Sequence, residues 1–316
     1  MTRLTAPMLA RATDFIWLTG RVLEQRRLAF LFAPAPATGT SAAGAAAAGV
    51  LAALDAYRST DGGYAYGLEP DVRGPAGQPV ALPTALRVLD QAGALDQATA
   101  TRVCDWLASV TAPDGGVPAV LPSLRDYPRP PWLPVPNEPR GDLLATGPIV
   151  GLLRKNAVGH PWLERAVDFC RDAVQALDRT HPYEAQAALA FLEHAPDQAH
   201  AAEQTARLGS LVREQRLVLL DPDHPEQARP APGYAPGEHH LPYDYAPTPQ
   251  SPARAWFTDA ELARGLDALA AAQEPDGGWP IRWAQWAPTT AVESRPGVTL
   301  EALLTLRAWD NAAPAD

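Results

Sequence analysis

Residues 264–279 read RGLDALAAAQEPDGGW, and this stretch decides the fold. Leu262, Leu266 and Leu269 recur at helical spacing, and the helix then runs into the turn Asp276-Gly277-Gly278-Trp279. The same turn occurs as Asp61-Gly62-Gly63-Tyr64 and as Asp114-Gly115-Gly116-Val117. In each copy a leucine (Leu54, Leu107 or Leu269) precedes the first glycine by eight residues. The three leucines are 53 and then 162 residues apart, and the longer gap is close to three more such steps. A fainter copy falls at Leu211 and Gln215. Glycine permits the left-handed backbone that reverses a chain after a helix C-terminus, and the aspartate bonds the turn backbone. The residue after Gly-Gly packs on the next hairpin. Spacing alone therefore predicts a repeat of helical hairpins along most of the chain.

Outward from this motif the pattern stays helical. Further stripes are Val50, Leu51, Leu54 and Tyr57; Val103, Trp106, Leu107 and Val110; Leu163, Val167, Cys170, Val174 and Leu177; and Leu300, Leu303 and Leu304. Convincing period-2 strands are absent, and Pro83 and Pro161 fall where helices start. The expectation is an all-α protein. With 316 residues, 47% of them hydrophobic and 20% charged, there is ample core and no signature of disorder. The 34 prolines point to stiff, irregular loops between the helices.

The copy at 264–279 resembles the QW motif of squalene–hopene and oxidosqualene cyclases: basic-Gly, aromatic-Leu, three residues, Gln, a short gap, Gly-x-Trp. Arg264-Gly265, Leu269, Gln273, Gly277 and Trp279 match it, with Ala268 in place of the aromatic. Trp106-Leu107 keeps the aromatic-Leu pair, with Thr111 for Gln and Val117 for Trp, and Leu54, Arg58, Gly62 and Tyr64 form a degenerate third copy. The resemblance implies a terpenoid cyclase/prenyltransferase α/α toroid of about six helical hairpins. It would be a single domain over residues 1–316, with Pro- and aromatic-rich loop insertions near 118–142 and 220–256. In that family the Gln–Trp pair ties helices together away from substrate, so Gln273 and Trp279 read as structural.

Fold does not settle chemistry. The sequence has no Asp-Asp pair, hence neither the D-x-D-D motif that class II terpene cyclases use for protonation nor the D-D-x-x-D motif that holds magnesium and diphosphate. Asp221-Pro222-Asp223-His224 reads as an ordinary turn. Neither Cys104 nor Cys170 sits in the Asp-x-Cys pattern of the zinc-dependent prenyltransferases. His239, His240 and Asp244 match no standard zinc spacing, and P-loop and H-E-x-x-H signatures are missing. No metal and no cofactor is expected.

Two loops carry the candidate site residues. In the first, Glu69 and Asp71 follow Tyr64 and Tyr66, and such a carboxylate pair in a closed pocket would raise one pKa as a general acid needs. Pairing with Arg73 or Arg58 is the structural alternative. In the second, residues 233–257, Asp244 lies between Tyr243 and Tyr245, with Tyr234, His239, His240 and Trp256 nearby. A long loop without secondary structure is usually functional, and aromatic faces stabilise cations. Asp244, Glu69 and Asp71 are therefore the catalytic candidates. Tyr64, Tyr66, Tyr243, Tyr245, Trp256, Trp283 and Trp286 are the substrate-binding ones.

The resemblance and the aromatic loops imply a terpenoid-cyclase-like protein acting on or binding an isoprenoid in a central cavity, by acid-initiated chemistry without D-x-D-D. A carbohydrate-active α/α-toroid glycosidase or lyase, and a non-catalytic toroid that binds an apolar ligand, are the alternatives. A net charge of -10, with Lys155 the single lysine, argues against nucleic acid as a partner. No run reaches the roughly 20 apolar residues of a spanning helix. Arg26-Arg27 resembles a twin-arginine signal only faintly, because an amphipathic helix (Phe15, Leu18, Val22) precedes it. A cytoplasmic location is expected.

Overall fold

A computed structural model describes residues 2–32 and 40–312. They form helices α1 (Ala6–Thr19), α2 (Val22–Leu31), α3 (Thr40–Asp55), α4 (Leu82–Gln91), α5 (Gln97–Val110) and α6 (Leu143–Lys155), then α7 (Pro161–Gln175), α8 (Pro182–Leu192), α9 (Gln198–Glu214), α10 (Pro242–Tyr245), α11 (Asp259–Ala271) and α12 (Pro288–Ala312). Among the described residues there is no β-strand, as the periodicity predicts. None of the helices is long and apolar enough to cross a membrane.

Helix starts follow local chemistry. Thr5, Asp96 and Asp142 accept backbone N–H groups as N-caps of α1, α5 and α6. Thr258 and Glu261 form a reciprocal capping box on α11. Pro83 and Pro161 lie in the first turns of α4 and α7, where a missing N–H costs nothing. The stretch 233–257, expected to lack secondary structure, contains α10 and the 3-10 turn Pro252–Trp256. Proline at the start of each presets φ for a helical turn, a signal the loop reading passed over.

The chain divides into two compact units. The first comprises Met1–Ala33, Arg179–Ala185 and Thr205–Asp316, and the second Pro34–Asp178 and Gln186–Gln204. The core of the first gathers Phe15, Ile16, Leu28, Leu266 and Leu303 from α1, α2, α11 and α12, with Trp279 from the turn after α11. In the second, α4 packs on α6 and α5 on α7. There α6 also meets α8 through Gly147 and Gly151, where a Cβ would run into the Ala187 and Ala190 carbonyls. The insertion at 118–142 lays Val120 and Leu124 on Val72.

All three Asp-Gly-Gly turns have one geometry. The first glycines, Gly62, Gly115 and Gly277, take φ of 102°, 95° and 94°. Their amides donate to Ser59, Ala112 and Glu274, whose own amides donate to the second glycine's carbonyl. The aspartate carboxylate accepts the second glycine's amide at 2.8, 3.1 and 3.1 Å. An aromatic ring covers that glycine: Trp106 over Gly63, Phe169 over Gly116 and Phe15 over Gly278. Leu211 and Gln215 lie at the end of α9, where Arg216 instead turns the chain with φ of 56°.

Candidate functional site

In the first unit, residues far apart in sequence converge on a cluster of aromatic and polar side chains. His181 stacks on Tyr183 at 5.5 Å between ring centres, and Tyr183 meets His240 edge-on at 4.9 Å. Tyr234 lies parallel to His240, with 2.6 Å between its Oη and Nδ1. Glu238, only 4% exposed, accepts the Tyr183 hydroxyl at 2.9 Å and the Ala235 amide at 2.8 Å. Tyr245 touches the His240 ring.

Asp244 lies on α10, and both its oxygens are engaged. Oδ2 accepts the Leu241 amide at 2.7 Å, and Oδ1 accepts Arg282 Nη2 at 2.6 Å. Arg282 also donates to the His239 carbonyl at 2.9 Å and stands 5.6 Å from the centre of the Tyr243 ring.

Charge states follow from these surroundings. Burial would raise the Asp244 carboxyl, but Arg282 and His240 outweigh it and hold it below its ordinary value. Burial lowers His240 to about 4, with the Arg282 charge acting in the same direction and Asp244 against both. Burial raises Tyr183, Tyr234, Tyr243 and Tyr245. Near neutral pH the cluster thus holds an ionised carboxylate, a neutral imidazole and protonated phenols. With Tyr234 as the donor, the imidazole hydrogen sits on Nε2. An ionised carboxylate beside aromatic faces suits stabilisation of a positive charge, whereas proton donation needs a raised pKa.

The expected residues divide between the units. Tyr243, Asp244, Tyr245 and Trp256 belong to the first unit, as do Trp283 and Trp286, both half-buried just after Arg282. Two of the rings spend their polar atoms on backbone: Tyr245 Oη donates to the Leu217 carbonyl at 2.9 Å and Trp256 Nε1 to the Thr205 carbonyl at 3.0 Å. Tyr64, Tyr66, Glu69 and Asp71 belong to the second unit. Tyr66 is half exposed with φ of 57°. Glu69 and Asp71 are half-buried on one turn, each with an interaction partner, as has Arg73.

Five groups escaped the reading of the sequence, among them Glu238, which lies in the second loop but was not singled out. His181, Tyr183 and Arg282 lie outside the two loops, and no spacing signal connects them to Asp244. The fifth, Asp142, was legible as an acid directly before the apolar start of α6. It caps the Leu144 amide at 2.8 Å, and burial raises its carboxyl, the direction a proton donor needs. Among the described residues, no group of three His, Cys, Asp or Glu is arranged to hold a metal ion.

No protein-family model matches the sequence, and no curated protein does. Solved structures do. A protein from Actinoplanes superposes with a TM-score of 0.59 at 17% identity, over 96% of this chain and 98% of that one. The type II terpene cyclase MstE from Scytonema, in its apo form, gives 0.55 at 14% identity over 98% of both chains. An MstE variant in complex with its substrate, geranylgeranyl dihydroxybenzoate, gives 0.50 at 14% over 96% of this chain and 97% of that one. The chain therefore has a terpene cyclase-like helical fold.

Proposed function

We propose that this protein is a terpenoid-cyclase-like enzyme that acts on an isoprenoid by acid-initiated chemistry, on an α/α toroid of about six hairpins with a degenerate QW repeat. The reading is carried by one observation, the likeness to MstE over nearly the whole of both chains. The substrate named for MstE, a geranylgeranyl group on a dihydroxybenzoate, sets the class to test.

Each role is assigned from a residue's own surroundings. Asp142 leads as the proton donor because burial favours its neutral form. Its proton would go to an alkene carbon, the next double bond would supply the electron pair that closes a ring, and loss of a proton from carbon would end the reaction. Glu69 and Asp71 are the other candidate donors. Asp244 is not a donor: ionised and paired with Arg282, it carries negative charge beside the Tyr243 ring in the first unit. Trp283, Trp286, Tyr64, Tyr66, Tyr245 and Trp256 remain candidates for contact with the isoprenoid chain.

The test is mass spectrometry of products after incubation with geranylgeranyl dihydroxybenzoate, prenyl diphosphates and squalene. A cyclised or hydrated product that disappears in Asp142→Asn is expected, and Asp244→Asn tests the first unit separately. Absence of product from every substrate, with the protein folded by circular dichroism, would overturn the reading. Unchanged turnover in Asp142→Asn with loss in Glu69→Gln or Asp71→Asn would move the donor.

A further inference from the structure

The three Asp-Gly-Gly turns each face a helix of their own unit, α5, α7 and α1 in turn, and the seam between turn and helix is filled in two of them. Four residues after the turn's leucine stand Arg58, Thr111 and Gln273; four before the covering aromatic stand Arg102, Arg165 and Arg11. In the first unit Gln273 Oε1 accepts the Arg11 guanidinium, and its Nε2 donates to the Met8 and Gly277 carbonyls at 2.9 Å each. At the Thr111 copy the buried Trp162 closes the seam, donating Nε1 to Thr111 Oγ1 at 2.7 Å.

At the Arg58 copy neither device is present. A second cation stands where the acceptor would be, and Thr99 stands where Trp162 is. What remains is an open pocket of about 160 Å³. Leu54, Leu89, Val103 and Tyr64 form its buried floor, with Arg58, Arg102 and Thr99 around it. Both guanidinium charges act on Tyr64, and among the described residues no group hydrogen-bonds its hydroxyl.

The lining charges do not cancel. Arg58 pairs with Asp55 at 3.1 Å. Arg102 forms no ion pair among the described residues, and its guanidinium donates to Thr99 Oγ1 at 3.2 Å. Of the acids near it, the N-cap Asp96 accepts the Thr99 amide at 2.8 Å and feels the Arg102 charge without pairing with it, and Asp105 meets His160 at 3.2 Å. The lining thus carries two cations and one anion over an apolar floor. A cavity of roughly 150 Å³ is the size that takes a benzene ring.

We propose that this pocket binds a small monocarboxylate with a compact apolar body, the carboxylate meeting Arg102 and the Tyr64 hydroxyl and the body resting on Leu54, Leu89 and Val103. The inference rests on a seam that the other two copies close, and it shares only Tyr64 with the isoprenoid reading.

Benzoate titrated into the full chain, followed by calorimetry, is the test. Saturable binding at millimolar concentrations or below is expected, with benzamide, its neutral isostere, at least about tenfold weaker. Arg102→Gln is expected to lose a similar factor, and Arg165→Gln at the neighbouring copy to lose none. Arg58→Gln restores the acceptor found at Gln273, so it is expected to close the seam, abolish binding and leave the protein folded. No saturable binding, equal affinity for benzamide, or unchanged affinity in Arg102→Gln would each overturn the proposal.

Discussion

Arg282 and Asp244 stand 38 residues apart and are joined by a 2.6 Å ion pair in which the carboxylate is 13% and the guanidinium 37% exposed. The pair fixes the charge state of the polar cluster. Removing one partner of a buried pair costs about 3–5 kcal/mol, and the exposure of Arg282 reduces this to roughly 1–3. Asp244→Asn should lose that much stability near neutral pH. Because the folded carboxyl lies below its ordinary value, its contribution is present above about pH 4 and disappears as pH falls through the folded value. Urea unfolding should therefore separate wild type from variant at pH 7, with the gap narrowing only as pH falls below about 4. A gap that persists at low pH would contradict the ionised assignment.

His240 titrates in a different window. Its folded value near 4 lies below the ordinary 6.5, so between those limits the unfolded chain binds the additional proton. Stability should fall as pH drops from 6.5 to 4, by up to about 3 kcal/mol from this group. NMR should find the ring neutral at pH 5.5, and His240→Gln should flatten that part of the stability profile. A midpoint near 6.5 would place His240 in contact with solvent.

Cys104 and Cys170 are both fully buried, and burial lifts the Cys104 thiol to about 12 and the Cys170 thiol further. A thiolate is the reactive form, so neither should react with a disulfide-exchange reagent in the folded protein. Both should react in denaturant, and the native rate should follow unfolding. Fast stoichiometric labelling under native conditions would refute this.

Gly151 brings α6 against the backbone of α8, and a Cβ there has only the Ala190 carbonyl to displace. Backbone cannot yield as a side-chain tip can, so Gly151→Ala should cost about 1–3 kcal/mol. A thermal midpoint several degrees lower would report it. Gly159→Ala, with nothing within 4 Å of its Cβ, serves as the neutral comparison.

The Asp-Gly-Gly turns show why the architecture could be read from one sequence. A positive φ at Gly62, Gly115 and Gly277, a carboxylate within reach of the next amide, and a leucine two helical turns earlier are all local requirements. Local requirements leave local signatures, and the helices and their proline starts were legible for the same reason. The same reading took residues 233–257 for open loop, although Pro242 and Pro252 each start a helical turn.

The sequence by itself determined the all-helical class, most of the helices and the turns, because each depends on residues a few positions apart. Only the tertiary structure decided the site. His181, Tyr183, Glu238, His240 and Arg282 share no spacing, and no pattern announces that Arg282 will neutralise Asp244. The surroundings then set which carboxyl is ionised and which is raised: the Arg282 charge holds Asp244 down against its burial, and burial lifts Asp142. The open seam at Arg58 has the same origin: the sequence displays an arginine where a glutamine would fit, but the space and the facing charge of Arg102 exist only once residues of α3, α4 and α5 come together around it.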